Sequence, residues 1–331
     1  MTVGFNYFLR ALRFGGLAPS VKINRIESGQ YSKLNFIYPI LAVIITWSNC
    51  LRYSVFLLFI EKPGWWMAQA LLYFYAIGNQ INCALTRTSF VWSHWKRNDN
   101  TVIELFNQCS MNDTEGMRLT SNLEDIKNFK VEHRNCLLWK ILTTLGIVFV
   151  FINAAFTSSL TFVQRGHFGI GSTLTITHGI GFQDPVFIFA AIFTTLINAI
   201  CDLSHLGTIM TTGLSFTLAL RFRDLRYWLK DKRKNGDKVI LKNIHDYYCH
   251  LVDLVKEIDC QVQFRNGINL IFNYFGTLVS LYHFGYGENF DNDILARFTL
   301  IFWLSSCLFM LFLILIPSIY INAKAREAKR E

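Results

Sequence analysis

The amino-acid sequence predicts an all-α protein: a polytopic membrane helix bundle with six transmembrane helices and both termini in the cytoplasm. Apolar residues make up 52% of the 331 residues and charged residues only 17%, compared with roughly 25% in ordinary globular domains. The charges form short clusters separated by long neutral stretches. Six of these stretches have about the 20 residues that a helix needs to cross a bilayer. They cover residues 34–60, 65–92, 137–163, 185–220, 268–286 and 298–323.

The distribution of Lys and Arg predicts which segments face the cytoplasm. Of the 32 Lys and Arg residues, 26 lie in residues 1–33, 93–136, 221–265 and 324–331, whereas three lie in the connections on the other side. Positively charged loops stay in the cytoplasm, so both termini are expected there. Basic loops also suit an anionic leaflet. The net charge of +9 therefore indicates the lipid bilayer as a partner and no nucleic acid.

The two ends of the chain are expected to lie outside the bundle of residues 34–323. Residues 1–33 are predicted to be a cytoplasmic amphipathic segment without a removable signal peptide, since no apolar run with a cleavage site is present. Its apolar side chains recur at helical spacing, which is typical of a helix lying in the membrane interface: Phe5, Phe8, Leu9 and Leu12. Residues 324–331 are predicted to form a basic cytoplasmic tail.

The basic segment of about 221–265 is predicted to be helical and to extend the fourth and fifth spans into the cytoplasm. Its apolar residues recur in steps of four and three, which is the pattern of a heptad seam. They are Ile240, Ile244, Tyr247, Leu251, Leu254, Ile258 and Val262. Such a seam must be buried. Packing within one subunit and packing against a second copy of the chain are both compatible with it.

No catalytic residues, cofactor or metal site are predicted, and the chain is not expected to be an enzyme. The sequence has no Gly-rich phosphate loop, no HExxH and no GxSxG motif. Its eight cysteines form no CxxC pair and no spacing that is typical of metal ligands. We interpret them as small apolar packing residues.

Three ionisable residues at membrane depth are of interest because placing them there costs free energy. Asp202 and His205 lie three positions apart in the fourth span and therefore on one helix face. Bonds to a neighbouring helix or to each other are the first interpretation. A gating or proton-coupled pair and polar contacts to a ligand are the alternatives. Arg87 in the second span is expected to extend to the inner interface.

Two stretches resemble the insect gustatory receptor family. Residues 8–19, Phe-Leu-Arg-Ala-Leu-Arg-Phe-Gly-Gly-Leu-Ala-Pro, resemble its amino-terminal signature, a short helix followed by a Gly-Leu-x-Pro turn. Residues 250–259 followed by Asn-Tyr-Phe-Gly at 273–276 resemble the stretch before and within its fifth helix. The resemblance is diffuse but covers nearly the whole chain.

The resemblance implies a plasma-membrane, multi-pass, ligand-gated cation channel that detects small-molecule tastants as a homo- or heterotetramer. It also implies a ligand pocket in the outer half of the bundle, with no cofactor. Aromatic rings there would stack on a ligand or attract a cation. Mapped by topology, the residues expected to contribute to ligand binding are Trp65, Trp66, Tyr73, Phe156, Phe187, Phe189, Tyr282 and His283. Asp202 and His205 are the polar in-membrane candidates.

One feature of the family is missing from this sequence. Its members have a seventh, pore-lining helix that ends in a Thr-Tyr motif, whereas residues 323–331 resemble only the linker before it. We therefore expect a receptor chain without its last helix. A non-conducting auxiliary or truncated receptor subunit and a six-span transporter are the alternatives. The transporter predicts internal repeats, and residues 34–163 and 185–323 show no convincing repeat.

Overall fold

The computed structural model describes residues 3–19, 33–56, 66–96, 129–163, 185–235, 241–286 and 294–330. These residues form helices and turns, with one short 3₁₀ helix at Lys33–Phe36. The α-helices are α1 (Val3–Phe14), α2 (Ile37–Phe56), α3 (Trp66–Trp95), α4 (Phe129–Val163), α5 (Pro185–Asp202), α6 (His205–Asn235), α7 (Leu241–Tyr286) and α8 (Ile294–Arg330). The all-α fold class is thereby confirmed.

Each of the six predicted spans corresponds to a helix or a pair of helices. Within the described residues, four segments have the length and apolar composition to cross a membrane: Lys33–Val55, Leu137–Phe156, Ile192–Lys230 and Leu300–Arg330. Helices α3 and α7 account for the second and fifth predicted spans, and the total of six stays a prediction. Large apolar side chains on the outer faces of α2, α5 and α8 are exposed, as lipid contact requires.

The fourth predicted span is not one continuous helix. It is divided into α5, which ends at Asp202, and α6, which begins at His205. At the junction the N–H of Ser204 bonds to the Cys201 carbonyl, and the N–H of Gly207 bonds to the Ser204 carbonyl. These hydrogen bonds join residues three positions apart, as in a 3₁₀ helix, whereas an α-helix joins residues four positions apart. The fourth span therefore contains one turn of these bonds between its two helices.

Helix α1 forms as predicted, but its apolar face packs against protein rather than against the membrane interface. Phe8, Leu9 and Leu12 are buried in the core, and the ring of Phe8 lies 5.1 Å from that of Trp139 on α4. The prediction of an interfacial helix was wrong for these three side chains, because α4 and α6 offer them an apolar surface. The side chain of Phe5 lies outside the described residues.

A glycine turn ends α1. Gly16 has a φ of +67°, the N–H of Leu17 bonds to the Leu12 carbonyl at 2.8 Å, and the N–H of Gly16 bonds to the Arg13 carbonyl at 3.0 Å. This pair of bonds is the Schellman motif, which needs a left-handed residue at the position of Gly16. The turn itself contacts α2, where the Tyr38 hydroxyl donates to the Phe14 carbonyl at 2.5 Å.

The heptad seam is buried within this single chain. The side chains of six of its seven residues are buried in the same core as α1 and α6: Ile244, Tyr247, Leu251, Leu254, Ile258 and Val262. Ile240 lies outside the described residues. Tyr248, beside the seam, contacts Phe222 of α6 with ring centroids 5.7 Å apart. Of the two alternatives left open by the sequence, packing within one subunit accounts for the seam.

Helix α8 continues through most of the predicted basic tail and ends at Arg330. Its last turns pack against the α6 extension, where Glu327 pairs with Arg226 and, at 2.9 Å, with Lys324. The main apolar core therefore lies at the end of the bundle formed by α1 and the basic extensions of α6, α7 and α8.

Candidate functional site

One face of α4 brings aromatic and polar side chains to a place where four helices meet. Phe149, Asn153 and Phe156 follow one another at spacings of four and three residues, so they lie on one side of the helix. Their partners belong to α5, α6 and α8. We call these three side chains the α4 face.

Aromatic rings form the apolar part of this site. Phe156 stacks on Phe302 of α8 with centroids 4.5 Å apart and an interplanar angle of 12°. The Phe149 ring lies 6.5 Å from that of Phe302 and 5.8 Å from that of Phe309, which is two helical turns further along α8. These separations fall in the range in which aromatic pairs attract one another. Phe156 was predicted from the sequence, and the structure adds the other three rings.

Asp202 and His205 form the polar part. Nδ2 of Asn153 donates to Oδ2 of Asp202 at 2.7 Å, so the carboxylate is tied to α4. The His205 ring lies 6.0 Å from the Phe149 ring in an edge-on arrangement, and its Nε2 lies 3.9 Å from Sγ of Cys83 on α3. Both side chains are buried. The predicted bond from this pair to a neighbouring helix is present in the Asn153–Asp202 contact.

Arg87 satisfies the backbone at the end of α5. Because the Ser204 N–H bonds to the Cys201 carbonyl, the Ile200 carbonyl loses its usual helical donor. Nη2 of Arg87 donates to that carbonyl. A cation is favourable there, since the carboxyl end of a helix carries partial negative charge.

The same guanidinium also connects α2 to the break. Nη1 of Arg87 donates to the Ala42 carbonyl at 3.0 Å and to Oγ1 of Thr46 at 2.7 Å. The side chain is fully buried, so the prediction that Arg87 extends to the inner interface was wrong. The physical reason is that the Ile200 carbonyl freed by the helix break, together with acceptors on α2, bonds to the guanidinium inside the bundle.

The other predicted ligand-binding residues lie at several places. Phe189 is 72% exposed and stacks on Phe193 along the outer face of α5, a position that suits lipid contact. Tyr282 and His283 lie on α7 with ring centroids 5.7 Å apart; Tyr282 is exposed and His283 is buried. Trp65 lies outside the described residues, as do the side chains of Trp66, Tyr73 and Phe187.

Sequence reasoning missed Phe149, Asn153 and Phe302. The spacing of Phe149, Asn153 and Phe156 was a usable signal, because it places an amide between two rings on one face of a predicted span. Nothing in the sequence indicated that Phe302 would be their partner, since α8 contains many Phe residues at similar spacing.

A second concave surface lies between α2 and α3. It is a cavity of about 220 Å³ with an almost entirely apolar lining: Ile40, Val43, Thr88, Val91, Trp92 and Trp95. Trp92 is more than half exposed, and the ring of Trp95 lies under the ammonium group of Lys33 at 5.5 Å. An apolar groove open to the outside and bordered by Trp and Lys suits lipid chains at the membrane interface.

Comparison with known proteins identifies the fold. No family model and no curated protein matches the sequence. Among solved structures, the insect olfactory receptor OR5 from Machilis hrabei matches with a TM-score of 0.72 and 13% identity, over 97% of this chain and 80% of the receptor chain. The same receptor in complex with eugenol matches with a TM-score of 0.62 and 14% identity, over 98% and 88%.

The protein therefore has the polytopic helical fold of an insect olfactory receptor. At this level of identity the likeness defines the fold, and the chemistry of the site must be argued from the residues themselves.

Proposed function

We propose that the chain is a chemosensory receptor of the insect gustatory type, a subunit of a ligand-gated cation channel in the plasma membrane. The single observation that carries this proposal is the agreement of nearly the whole chain, at a TM-score of 0.72, with an insect olfactory receptor. Two features support it: the resemblance of residues 8–19 to the gustatory receptor signature, and an interior cluster of aromatic rings beside a few buried polar groups.

The ligand is proposed to bind between the α4 face, the α5–α6 break and α8. Phe149, Phe156 and Phe302 supply apolar surface and ring faces for stacking. Asp202 and His205 supply polar groups that orient a small molecule. Of the other predicted residues, Trp65, Trp66, Tyr73, Phe187, Tyr282 and His283 stay candidates for ligand binding, whereas Phe189, exposed on the outer face of α5, is left out. The ligand class is a small organic tastant.

Ligand binding is proposed to act on the cytoplasmic end through α6. Asp202 and His205 lie on the two sides of the break, so a ligand between them and α4 bears directly on the angle between α5 and α6. From His205, α6 runs without interruption to Asn235 and packs against α7 and α8. A small change at the break is thereby carried to the extensions, which are proposed to form a homo- or heterotetramer.

Ligand binding to the purified chain in lipid nanodiscs tests this proposal. Eugenol is the first probe, because it is bound by the olfactory receptor of like fold, followed by a panel of sugars and aromatic tastants. We expect Phe156→Ala and Phe302→Ala to weaken binding about tenfold, since losing a stacked ring costs about 1.4 kcal/mol. Phe189→Ala, which removes an exposed Phe of α5, should leave the affinity unchanged.

Two outcomes would overturn this assignment. The first is that no compound of the panel binds the wild-type chain. The second is that Phe156→Ala and Phe302→Ala bind as the wild type does. Recording from cells that express the chain then separates the alternatives: a ligand-evoked cation current indicates a channel, whereas binding without current indicates an auxiliary subunit. Ligand flux without current indicates a transporter.

A further inference from the structure

Three side chains with metal-ligating atoms meet at the break between α5 and α6. Cys83 lies on α3, Asp202 ends α5 and His205 begins α6. Their ligand atoms all lie within 4.8 Å of one another, and Sγ of Cys83 lies 3.9 Å from Nε2 of His205. The side chains are 1%, 3% and 6% exposed. Because Cys83 and His205 are 122 positions apart, sequence spacing gave no indication of the cluster.

The three donors match the preferences of one class of ion. A thiolate sulfur, an imidazole nitrogen and a carboxylate oxygen form a borderline-soft set that suits Zn²⁺. With Zn–S of about 2.3 Å and Zn–N of about 2.0 Å, two such ligands in a tetrahedral site lie about 3.5 Å apart. The Sγ–Nε2 separation of 3.9 Å is within a few tenths of an ångström of this value. The three ligand atoms, which lie within 4.8 Å of one another, close to this separation when the ion binds.

Charge balance favours the same ion. Among the described residues Asp202 accepts a hydrogen bond from Asn153 but forms no salt bridge. The nearby guanidinium of Arg87 donates instead to carbonyl and hydroxyl oxygens. A thiolate and a carboxylate together neutralise the charge of a divalent cation, which lowers the cost of holding the ion in a buried site.

A neighbouring side chain already orients one of the ligands. Nδ2 of Asn153 donates to Oδ2 of Asp202 at 2.7 Å, which leaves the other carboxylate oxygen available to an ion. Hydrogen bonds of this kind hold metal-binding carboxylates in position. The contact also joins α4 to the site, so an ion held here would connect α3, α4, α5 and α6.

We propose that Cys83, Asp202 and His205 bind one Zn²⁺ ion, with a fourth position open to water or to a ligand. The ion bridges α3 to both sides of the break and fixes the angle between α5 and α6. This site goes beyond the proposed receptor function and does not depend on it. The competing interpretation is that Cys83 and His205 are ordinary buried packing residues.

Cobalt(II) titration of the full chain in nanodiscs, under reducing and oxygen-free conditions, tests this proposal. All samples carry Cys249→Ser, because Sγ of Cys249 lies 3.5 Å from Nε2 of His245 on the exposed side of α7 and forms a second Cys–His pair. We expect one Co²⁺ per chain, with a thiolate-to-cobalt charge-transfer band that Zn²⁺ displaces. Cys83→Ser should abolish the band, whereas Cys307→Ser, the matched buried cysteine, should retain it.

The remaining ligands are tested by affinity and stability. His205→Asn and Asp202→Asn should each weaken Co²⁺ binding by more than the roughly 10- to 100-fold that second-shell changes cost. Zn²⁺ should raise the unfolding temperature of the Cys249→Ser chain and leave that of Cys83→Ser unchanged. The proposal is wrong if the Cys249→Ser chain gives no thiolate band. It is equally wrong if the band persists in Cys83→Ser. The cobalt band and the unfolding temperature are measured only on samples whose size-exclusion profile matches that of the folded wild-type chain.

Discussion

Replacing Arg87 tests how the break between α5 and α6 is held. Arg87→Met keeps an unbranched apolar stem and removes three hydrogen bonds, to the Ala42 carbonyl, Oγ1 of Thr46 and the Ile200 carbonyl. The Ala42 carbonyl keeps a partner, because the Thr46 hydroxyl donates to it at 2.7 Å. The Ile200 carbonyl loses the donor that replaced its helical bond.

The expected loss of stability in Arg87→Met follows from the Ile200 carbonyl. A buried acceptor left without a donor costs about 1–3 kcal/mol, so Arg87→Met should lower the free energy of unfolding by about that amount. Arg87→Lys should not restore it. The single ammonium group of Lys lacks the two Nη atoms with which the guanidinium bonds to α2 and α5 at the same time, and its charge would still be buried.

Denaturation in mixed detergent micelles measures this loss. Arg223→Met is the matched control, since Arg223 lies on the basic extension of α6, 3.8 Å from Asp224 at a partly exposed pair, and should cost under about 0.5 kcal/mol. Wild-type stability in Arg87→Met, or full rescue by Arg87→Lys, would refute the account of the break.

Three further predictions concern α1 and the basic extension of α7. Gly16→Ala should cost at least about 1 kcal/mol of unfolding free energy, because φ is +67° and the new Cβ would lie 2.7 Å from Cβ of Ala42. Leu254→Ala should cost about 2–5 kcal/mol, since Leu254 is a buried residue of the seam, whereas exposed Asp253→Ala should be nearly neutral. Desolvation raises the pKa of Asp259, so the folded state favours its protonated form. The stabilising contribution of the protonated carboxyl is present below the unfolded pKa and is lost as pH rises through the folded pKa. Asp259→Asn should therefore raise the unfolding temperature at pH 7, and this gain should disappear in acid.

The helices could be predicted from the sequence because lipid imposes a simple pattern. Uninterrupted apolar stretches indicated the spans, and the steps of four and three in residues 240–262 indicated the buried face of α7. Amphipathic spacing indicated α1. It could not indicate whether Phe8 and Leu9 face lipid or Trp139, because both environments are apolar.

The break and the site depend on contacts between residues far apart in the chain. No Gly or Pro marks residues 200–206, and the break is satisfied by Arg87, 113 positions away from Ile200. A single Arg in a span is ordinarily expected to extend to water at the membrane interface. Arg87 does not, because its hydrogen bonds to α2 and α5 hold it inside the bundle. The spacing of Phe149, Asn153 and Phe156 could predict that the α4 face lies on one side of a helix. It could not predict that Phe302 of α8 is its partner.

A structure of the chain with its ligand tests the central claim most directly. The compound that binds best in nanodiscs should give density between Phe149, Phe156 and Phe302, within reach of Asp202 and His205. Density in the apolar groove between α2 and α3, beside Trp92 and Trp95, would place recognition at the lipid-facing surface. That result would contradict the proposal that the α4 face and the α5–α6 break form the ligand site.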